Sequence, residues 1–299
     1  MKILITGGSG YIGSEVVSKL KSKYEVTILS RNPKQVEGVK ILKGSLIDQE
    51  FLLNNIKNYD LVINIAAIVR SSKKSEYKEN ISGTKNLLET LKTNKIRKLI
   101  HFSTHNVYNK KTGYYGTSKK LSEDLVKNSD LDYIILRPNY VYGIDKENYL
   151  SKLINISKRT RIALIIGDGN TKIQPINKED LANIALYLVE NFKPRTIYDA
   201  SRSKAISFNE IINFTEKQLN KKIIKLHVPF FVLKLFKFVI PFDVDGFLED
   251  RVSNKKSFSL KHDIYDINIH VWIQLLSGVH PAVKTLLKHV RQVFLVSVN

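Results

Sequence analysis

The chain has 299 residues, with 48 Lys or Arg against 28 Asp or Glu and a formal net charge of +20. Hydrophobic residues make up 43% of it and charged residues 25%, as in folded globular proteins with a substantial core. The absence of cysteine excludes disulfides, thiolate metal sites and cysteine nucleophiles. No apolar run is long enough to span a bilayer, and the first residues enter a strand without a signal peptide, so we expect a cytoplasmic protein.

The positive charge is dispersed along the chain. Residues 70–98 hold nine Lys or Arg, spread over a predicted solvated helix and its loops. A nucleic-acid or anionic-membrane binder would concentrate its basic residues on one face or beside a recognition motif. We therefore predict a lysine-rich surface that attracts phosphate-bearing small molecules, and no nucleic-acid partner.

The first predicted elements are a buried strand, Lys2-Ile3-Leu4-Ile5, a glycine-rich turn and a helix. The turn is Thr6-Gly7-Gly8-Ser9-Gly10-Tyr11-Ile12-Gly13. A glycine turn at this place lets the backbone approach a pyrophosphate, and the helix N-terminus offers free N–H groups to the anion. Two overlapping triplets fit the dinucleotide fingerprint and its three-residue-gap variant, namely Gly8, Gly10, Gly13 and Gly7, Gly10, Gly13. Their position favours dinucleotide binding over a plain tight turn.

Strand-like and helix-like segments alternate over the following residues. The predicted strands are 2–6, 25–30, 39–44, 60–66, 98–103, 132–137 and 162–166, and the main predicted helices are 12–22, 77–94 and 116–128. This alternation predicts an α/β fold, a Rossmann doubly wound parallel sheet with a smaller C-terminal substrate-binding region. We place the dinucleotide-binding domain at 1–165 and a mixed cap region at 166–299, some of whose segments return to the first domain.

The residues after the predicted strands bear on which dinucleotide binds. An NAD site usually has an acidic side chain after the second strand, whereas this chain has Ser30 and Arg31. Because a guanidinium can pair with a 2′-phosphate, the sequence favours NADP(H), and NAD(H) is the alternative. The simpler interpretation is that Arg31 is only a surface residue in a turn. Ser45 and Leu46 follow the next strand, where an adenine would lie. The small residues Ala66 and Ala67 leave room for a cofactor after the fourth strand.

The fifth predicted strand leads into a candidate catalytic group. Thr104 follows this strand, and Tyr115 and Lys119 come soon after, four residues apart and so on one face of a helix. A nearby ammonium stabilises a phenolate, so we expect a lowered pKa that lets Tyr115 exchange a proton with a substrate hydroxyl or carbonyl. The Thr104 hydroxyl would hold the substrate oxygen. A Tyr-x-x-x-Lys pair is common by chance, and only its order after the glycine turn and the strand end supports this role.

The C-terminal third is less regular. A helix is predicted from Asn177 onward, with acidic residues in its first turn. Residues 227–242 form the most apolar stretch, which suits a packing helix of a cap domain or, alternatively, a lid or a helix in peripheral contact with a membrane. The tail 270–299 contains the single Trp and three widely spaced histidines, for which we predict no metal site.

These motifs, taken together, carry a family resemblance over residues 1 to about 200, with a weaker one to about 260. The chain resembles extended and atypical members of the short-chain dehydrogenase/reductase superfamily, which include nucleotide-sugar epimerases and dehydratases. The matching segments are Thr6 to Gly13, Asn64-Ile65-Ala66-Ala67, Asn80-Ile81-Ser82-Gly83-Thr84, Phe102-Ser103-Thr104, Tyr115 to Lys119 and Leu136-Arg137-Pro138.

The resemblance implies an NAD(P)-dependent enzyme that acts on a hydroxyl or carbonyl, with a nucleotide sugar as the expected small-molecule substrate. It implies Thr104, Tyr115 and Lys119 as catalytic residues, with Lys119 also on the nicotinamide ribose. It places the backbone between Pro138 and Val141 near the carboxamide. Homodimers are frequent among such proteins. The implied cofactor-binding residues are Gly7, Gly10, Tyr11, Ile12, Gly13, Ser30, Arg31, Ser45, Leu46, Ala66, Ala67, Lys119, Pro138 and Val141.

Three positions depart from the epimerase pattern. The segment between Thr104 and Tyr115 is short, and Ser45 stands where an aspartate is frequent. Ile173, with Lys172 beside it, aligns with an arginine that many epimerases place on the nucleotide diphosphate. The following Gln-Pro resembles the atypical branch that contains an accessory subunit of respiratory complex I. The alternative function is therefore a non-catalytic NADP(H)-binding assembly or sensor protein.

Overall fold

The computed structural model describes residues 1–229, apart from 72, 111, 144–148 and 202–203, together with residue 252. Most of the predicted apolar stretch 227–242 and the whole tail 270–299 therefore lie outside the described residues. Residues 227 and 228 are described, and they belong to a strand, not to the start of a helix.

A seven-stranded parallel sheet forms the centre of the molecule, as predicted. Its strands are β1 (Lys2–Thr6), β2 (Glu25–Ser30), β3 (Lys40–Lys43), β4 (Leu61–Asn64), β5 (Lys98–Phe102), β6 (Asp132–Pro138) and β11 (Thr196–Ala200). Their order is β11-β6-β5-β4-β1-β2-β3. The strand order reverses between β1 and β4, so the carboxyl ends of these two strands flank the crevice where open α/β sheets bind ligands.

Helices cover both faces of this sheet. They are α1 (Tyr11–Leu20), α2 (Gln49–Asn55), α3 (Lys78–Thr93), α4 (Gly113–Lys127) and α6 (Lys178–Glu190). Two separate clusters of buried apolar residues fill the two sides, one under α1 and α6 and the other under α2, α3 and α4. Because both faces are covered, the central strands are nearly continuously apolar, as in Leu61, Val62 and Ile63, and polar side chains such as Asn64 stand near their carboxyl ends.

A third core lies outside the large sheet. It packs α5 (Tyr149–Thr160) and α7 (Phe208–Leu219) against the short strands β8 (Ile162–Ile166), β9 (Lys172–Ile173) and β12 (Ile206–Ser207). The described residues outside the large sheet form three two-stranded sheets: β7 (Val141–Tyr142) with β10 (Ile176–Asn177), β9 with β12, and β8 with β13 (Ile224–Val228).

The predicted placement of the strand at 162–166 in the large parallel sheet was wrong. Residues 162–166 form a strand, but it pairs with β13, whereas β11 is the strand that extends the large sheet beyond β6. β11 lies at the edge of the sheet, and its first three residues are partly or fully exposed. Its sequence therefore lacks the continuous apolar run that identifies the inner strands. The boundary at residue 165 falls inside β8 and remains a proposal.

Candidate active site

The glycine turn between β1 and α1 has the backbone that a pyrophosphate site needs. Gly7 has φ +69°, and a Cβ there would lie 2.7 Å from the backbone of Ala66. A Cβ on Gly13 would lie 2.1 Å from the Gly7 carbonyl oxygen, so the helix and the turn touch without space for a side chain. Gly10 caps α1 with extended backbone and offers no side-chain cap to the first N–H groups of the helix. These features fit a bound diphosphate.

A cleft of about 460 Å³ opens beside this turn, a volume usual for a small-molecule site. It runs along the carboxyl ends of β1, β2, β3 and β4. Eleven of the sequence-predicted cofactor residues line it: Gly7, Gly10, Tyr11, Ile12, Gly13, Ser30, Arg31, Ser45, Leu46, Ala66 and Ala67. Lys119, Pro138 and Val141 are not among its lining residues.

The cleft wall holds an ion pair that the sequence analysis missed. Glu79, in the first turn of α3, lies 3.6 Å from the Arg31 guanidinium, and both side chains line the cleft. The arginine side chain is 64% exposed, so the pair is weak and its partner can change. Sequence reasoning had no way to find it, because 48 residues separate the two positions.

The next residue, Asn80, ties the cleft wall to α4. Its side-chain oxygen accepts from the Ile68 backbone N–H at 2.7 Å, and its amide nitrogen donates to the Ile68 carbonyl and to the Ser118 hydroxyl, each at 3.0 Å. Ile68 and Asn80 both line the cleft. The cleft wall is therefore connected directly to the residue before Lys119. Asn80 stood in a matching family segment, but it was not predicted as a site residue.

The three predicted catalytic residues come from neighbouring elements. Thr104 lies two residues after the end of β5 and caps a short 3-10 helix, and Tyr115 and Lys119 lie one turn apart on α4. Lys119 is almost completely buried, with 2% of its surface exposed, and Thr104 is 8% exposed. α4 begins at Gly113, three residues before the predicted start, so Tyr115 also belongs to the helix.

The expected lowering of the Tyr115 pKa was wrong for this structure. Burial raises the pKa of the Tyr115 hydroxyl to about 12, although a hydrogen bond with Thr104 acts in the opposite direction. Burial also lowers the pKa of Lys119 to about 8, and the nearby Glu123 carboxylate only partly offsets this. The Lys119 charge does not contribute to this shift of the Tyr115 pKa. The Lys119 amine lies against a histidine.

That histidine is His101 of β5, which is fully buried. Its Nε2 atom lies 3.4 Å from Lys119 Nζ, and its Nδ1 atom lies 3.1 Å from the Asn64 side-chain nitrogen. Burial first, and the Lys119 charge second, lower the His101 pKa well below its ordinary value. The imidazole is therefore neutral at physiological pH. Sequence analysis missed His101 because a single histidine in an apolar strand carries no motif.

A buried ion pair joins α4 to β6. Arg137 of β6 makes a bidentate contact with Glu123, with donor–acceptor distances of 2.8 and 2.5 Å. Burial would raise the Glu123 pKa, but hydrogen bonds led by the one from Arg137 hold it below its ordinary value. Arg137 also contacts Tyr108, whose hydroxyl lies 3.1 Å from an Asp199 oxygen. This network joins β6, α4 and the end of β11.

Ile173 is 2% exposed and packs in the third core. Its apolar side chain therefore cannot replace an arginine on a diphosphate, and Lys172 beside it is exposed.

The comparison with known proteins decides the family. Residues 3–200 match the model of the NAD dependent epimerase/dehydratase family, which is well over half of the chain. The chain belongs to this family. A dTDP-D-glucose 4,6-dehydratase of Dictyostelium discoideum is 30% identical over 258 residues, covering 69% of this chain and 59% of the dehydratase. A probable UDP-arabinose 4-epimerase of Arabidopsis thaliana is 28% identical over 283 residues, covering 72% and 68% of the two chains.

Solved epimerases of the family share the fold. The UDP-glucuronic acid 4-epimerase of Bacillus cereus, solved with UDP-glucuronic acid and NAD, aligns with a TM-score of 0.67 and 25% identity, covering 77% of this chain and 86% of that one. The fold and the family model therefore agree on a family of NAD-dependent epimerases and dehydratases. Within the described residues, no helix is both long and apolar enough to cross a membrane.

Proposed function

We propose that this family member uses Thr104, Tyr115 and Lys119 to exchange a proton with a hydroxyl or carbonyl of a nucleotide sugar. One observation carries the proposal: Thr104 hydrogen-bonds to Tyr115, Lys119 lies one helical turn further along α4, and Ser118 before Lys119 hydrogen-bonds to Asn80 of the cleft wall. Dehydratases and epimerases of nucleotide sugars among the relatives support the substrate class.

The chain's own residues would hold a nicotinamide dinucleotide along the cleft. The turn from Gly7 to Gly13 would receive the diphosphate, and Ser45 and Leu46 would border the adenine. Ala66 and Ala67 leave the space that a ribose and a nicotinamide need, and Pro138 and Val141 are proposed to face the carboxamide. When bound, the cofactor supplies hydride chemistry, which no side chain can supply.

Tyr115 is the proton-transferring residue in this proposal. With a pKa of about 12 its hydroxyl carries a proton at neutral pH, so as it stands it serves as an acid toward a substrate oxygen. To act as a base it needs the Thr104 hydrogen bond and the Lys119 ammonium close to the phenolate. Thr104 would orient the substrate oxygen, and Lys119 would also hold the nicotinamide ribose.

The preference for NADP(H) over NAD(H) stays a prediction. Arg31 lies in the cleft as expected, but Glu79 pairs with it and would compete with a 2′-phosphate. The family is NAD-dependent, and the solved Bacillus cereus epimerase contains NAD. A cytoplasmic location and a homodimer are also proposals. The alternative of a non-catalytic assembly protein receives no support from the relatives reported above, which are enzymes.

The test is turnover of UDP-glucose, UDP-glucuronic acid and dTDP-glucose with NAD or NADP, in the native chain and in Tyr115→Phe. We expect the variant to lose at least about 100-fold in kcat, the usual contribution of a general acid–base residue, while its cofactor Kd changes less than about two-fold. Tyr114→Phe is the matched control, because this neighbouring tyrosine is 55% exposed and should retain full activity.

Retention of turnover by Tyr115→Phe would remove the proposed role of this residue. A native protein that binds cofactor but turns over none of these sugars would restrict the proposal to another substrate with a hydroxyl or carbonyl. Mass spectrometry of the small molecules that co-purify would then identify it.

A further inference from the structure

A line of buried hydrogen bonds runs across the sheet from β1 to α4. The Thr6 hydroxyl donates to the Asn64 side-chain oxygen at 2.6 Å, and the Asn64 amide nitrogen lies 3.1 Å from His101 Nδ1. His101 Nε2 then faces Lys119 Nζ at 3.4 Å. All four side chains are at most 2% exposed. The line therefore joins the residue before the glycine turn to the lysine of the proposed catalytic group.

The chemistry of the line determines where the histidine proton lies. The hydroxyl hydrogen of Thr6 needs an acceptor, and the Asn64 side-chain oxygen provides it, which fixes the orientation of the Asn64 amide. The amide nitrogen can only donate, so His101 Nδ1 must accept. A neutral imidazole with Nδ1 as acceptor carries its proton on Nε2.

This tautomer presents an N–H donor to Lys119. A neutral amine can accept this hydrogen bond through its lone pair, whereas an ammonium has only donors and is opposed by it. The neutral histidine therefore affects the lysine through the direction of its Nε2–H donor and not through a net charge. The mechanism described above does not use this contact.

We propose that His101 is a positioning residue for Lys119: its imidazole, fixed as the Nε2–H tautomer by Asn64 and Thr6, holds the Lys119 amine at the end of β5 and favours its neutral form. The inference deepens the proposed function, since it concerns the residue that the proposal places beside Tyr115. It also couples the protonation of this lysine to the strand that precedes the glycine turn.

Few other titratable groups act on Lys119. On α4 itself, Tyr115 lies one turn before it and Glu123 one turn after it, and the carboxylate favours the ammonium. From β6, Arg137 pairs with Glu123 and reduces that effect. From β5, His101 opposes the ammonium. The burial of the lysine acts in the same direction as the histidine.

The first test is nitrogen NMR of the histidine ring in the full-length protein, with and without saturating NAD. The His101 signals are assigned by their loss in His101→Gln. We expect a neutral ring with a protonated Nε2 and an unprotonated Nδ1 at pH 7. A protonated Nδ1, alone or in an imidazolium, overturns the proposal.

Two variants of Thr6 test what fixes the tautomer. Thr6→Val keeps the side-chain shape but removes the hydroxyl, so the Asn64 amide can rotate and His101 should populate the Nδ1–H form. Thr6→Ser keeps the donor and should retain the native tautomer. Equal tautomer populations in both variants would show that the hydroxyl does not act through Asn64, and would overturn that part of the proposal.

The effect on Lys119 is tested by its own titration, followed by NMR of the Lys119 side chain. In His101→Gln the new amide oxygen can accept from the ammonium, so we expect the titration midpoint to rise by about 1 pH unit. His227→Gln is the matched control, because His227 is exposed on β13 and should leave the midpoint unchanged. A midpoint that moves less than about 0.3 pH unit in His101→Gln overturns the proposal.

Turnover provides an independent readout. The alkaline limb of the kcat profile should move upward with the Lys119 midpoint in His101→Gln, while the KM for the dinucleotide stays constant. If His101→Gln does not fold, its NMR signals will lose their dispersion. The tautomer of the native protein and of the two Thr6 variants then decides whether the proposal holds. Failure of the proposed function, seen as turnover by Tyr115→Phe, leaves these ring and lysine measurements unaffected.

Discussion

Two pairs of polar side chains lie in opposite environments, one exposed in the cleft and one buried between β5 and α4. In the cleft, Arg31 and Glu79 form an exposed pair at 3.6 Å, which solvent screens. His101 of β5 and Lys119 of α4 form a buried pair, and burial is the main influence on the protonation of both. We therefore expect substitutions in the exposed pair to adjust cofactor choice by small factors. Substitutions at or near the buried pair should change catalysis or folding by large ones.

The largest effect is expected from Lys119→Met. We expect kcat to fall about 10²- to 10⁴-fold, as for loss of a general acid–base partner, because Tyr115 loses the ammonium that its phenolate needs. Chemical denaturation should show no loss of stability at pH 7, since the variant removes a buried charge. The exposed neighbour provides the control, Lys120→Met, with native kcat. A loss below about ten-fold would mean that the buried pair is not more sensitive to substitution than the exposed pair.

The next effect concerns folding. Glu123→Gln leaves the Arg137 guanidinium buried without its carboxylate, and we expect the free energy of unfolding to fall by about 3–5 kcal/mol. Glu89 makes an exposed pair with Lys85 on α3, so Glu89→Gln should change stability by no more than about 0.5 kcal/mol. Urea titrations of the two variants side by side measure the difference. Equal losses would contradict the contrast between buried and exposed pairs.

The pH dependence of stability gives a moderate effect with a defined sign. Burial lowers the Lys119 pKa from 10.5 to about 8, so between these values the unfolded chain binds more protons than the folded one. This group therefore makes stability rise with pH in that window, by at most about 1.4 kcal/mol per pH unit. Turnover should fall over the same range, because the ammonium is lost.

The measurement is unfolding free energy at pH 8 and pH 9.5 for the native chain and for Lys119→Met. Subtracting the two removes the contribution of other groups. The native chain should gain stability relative to the variant as the pH rises. A relative loss would show that the lysine is stabilised as an ammonium when folded.

The smallest effect is expected for the exposed pair of Arg31 and Glu79. Glu79→Gln frees Arg31 for a 2′-phosphate, so the affinity for NADP should rise about two- to five-fold, the factor that corresponds to an exposed ion pair. The affinity for NAD should stay the same. Titration calorimetry with both dinucleotides measures the ratio, and Arg31→Ser should abolish any gain. An unchanged ratio would mean that the pair does not influence the choice of cofactor.

Much of the fold followed from local patterns. The turn from Gly7 to Gly13 and the apolar inner strands are recognisable because each depends on neighbouring residues in the chain. The edge strand β11 was missed because its exposed positions hide the apolar pattern, and β8 was assigned to the wrong sheet because a strand's sequence does not name its partner.

The candidate site shows the same division. The sequence by itself determined the glycine turn and the order of Thr104, Tyr115 and Lys119, since close backbone contacts and helical spacing are properties of short segments. Only the tertiary structure decided that Lys119 faces His101, that Tyr115 holds its proton and that Glu79 pairs with Arg31. Charge states and side-chain partners depend on burial and on contacts between distant strands, and the linear order of residues does not contain these.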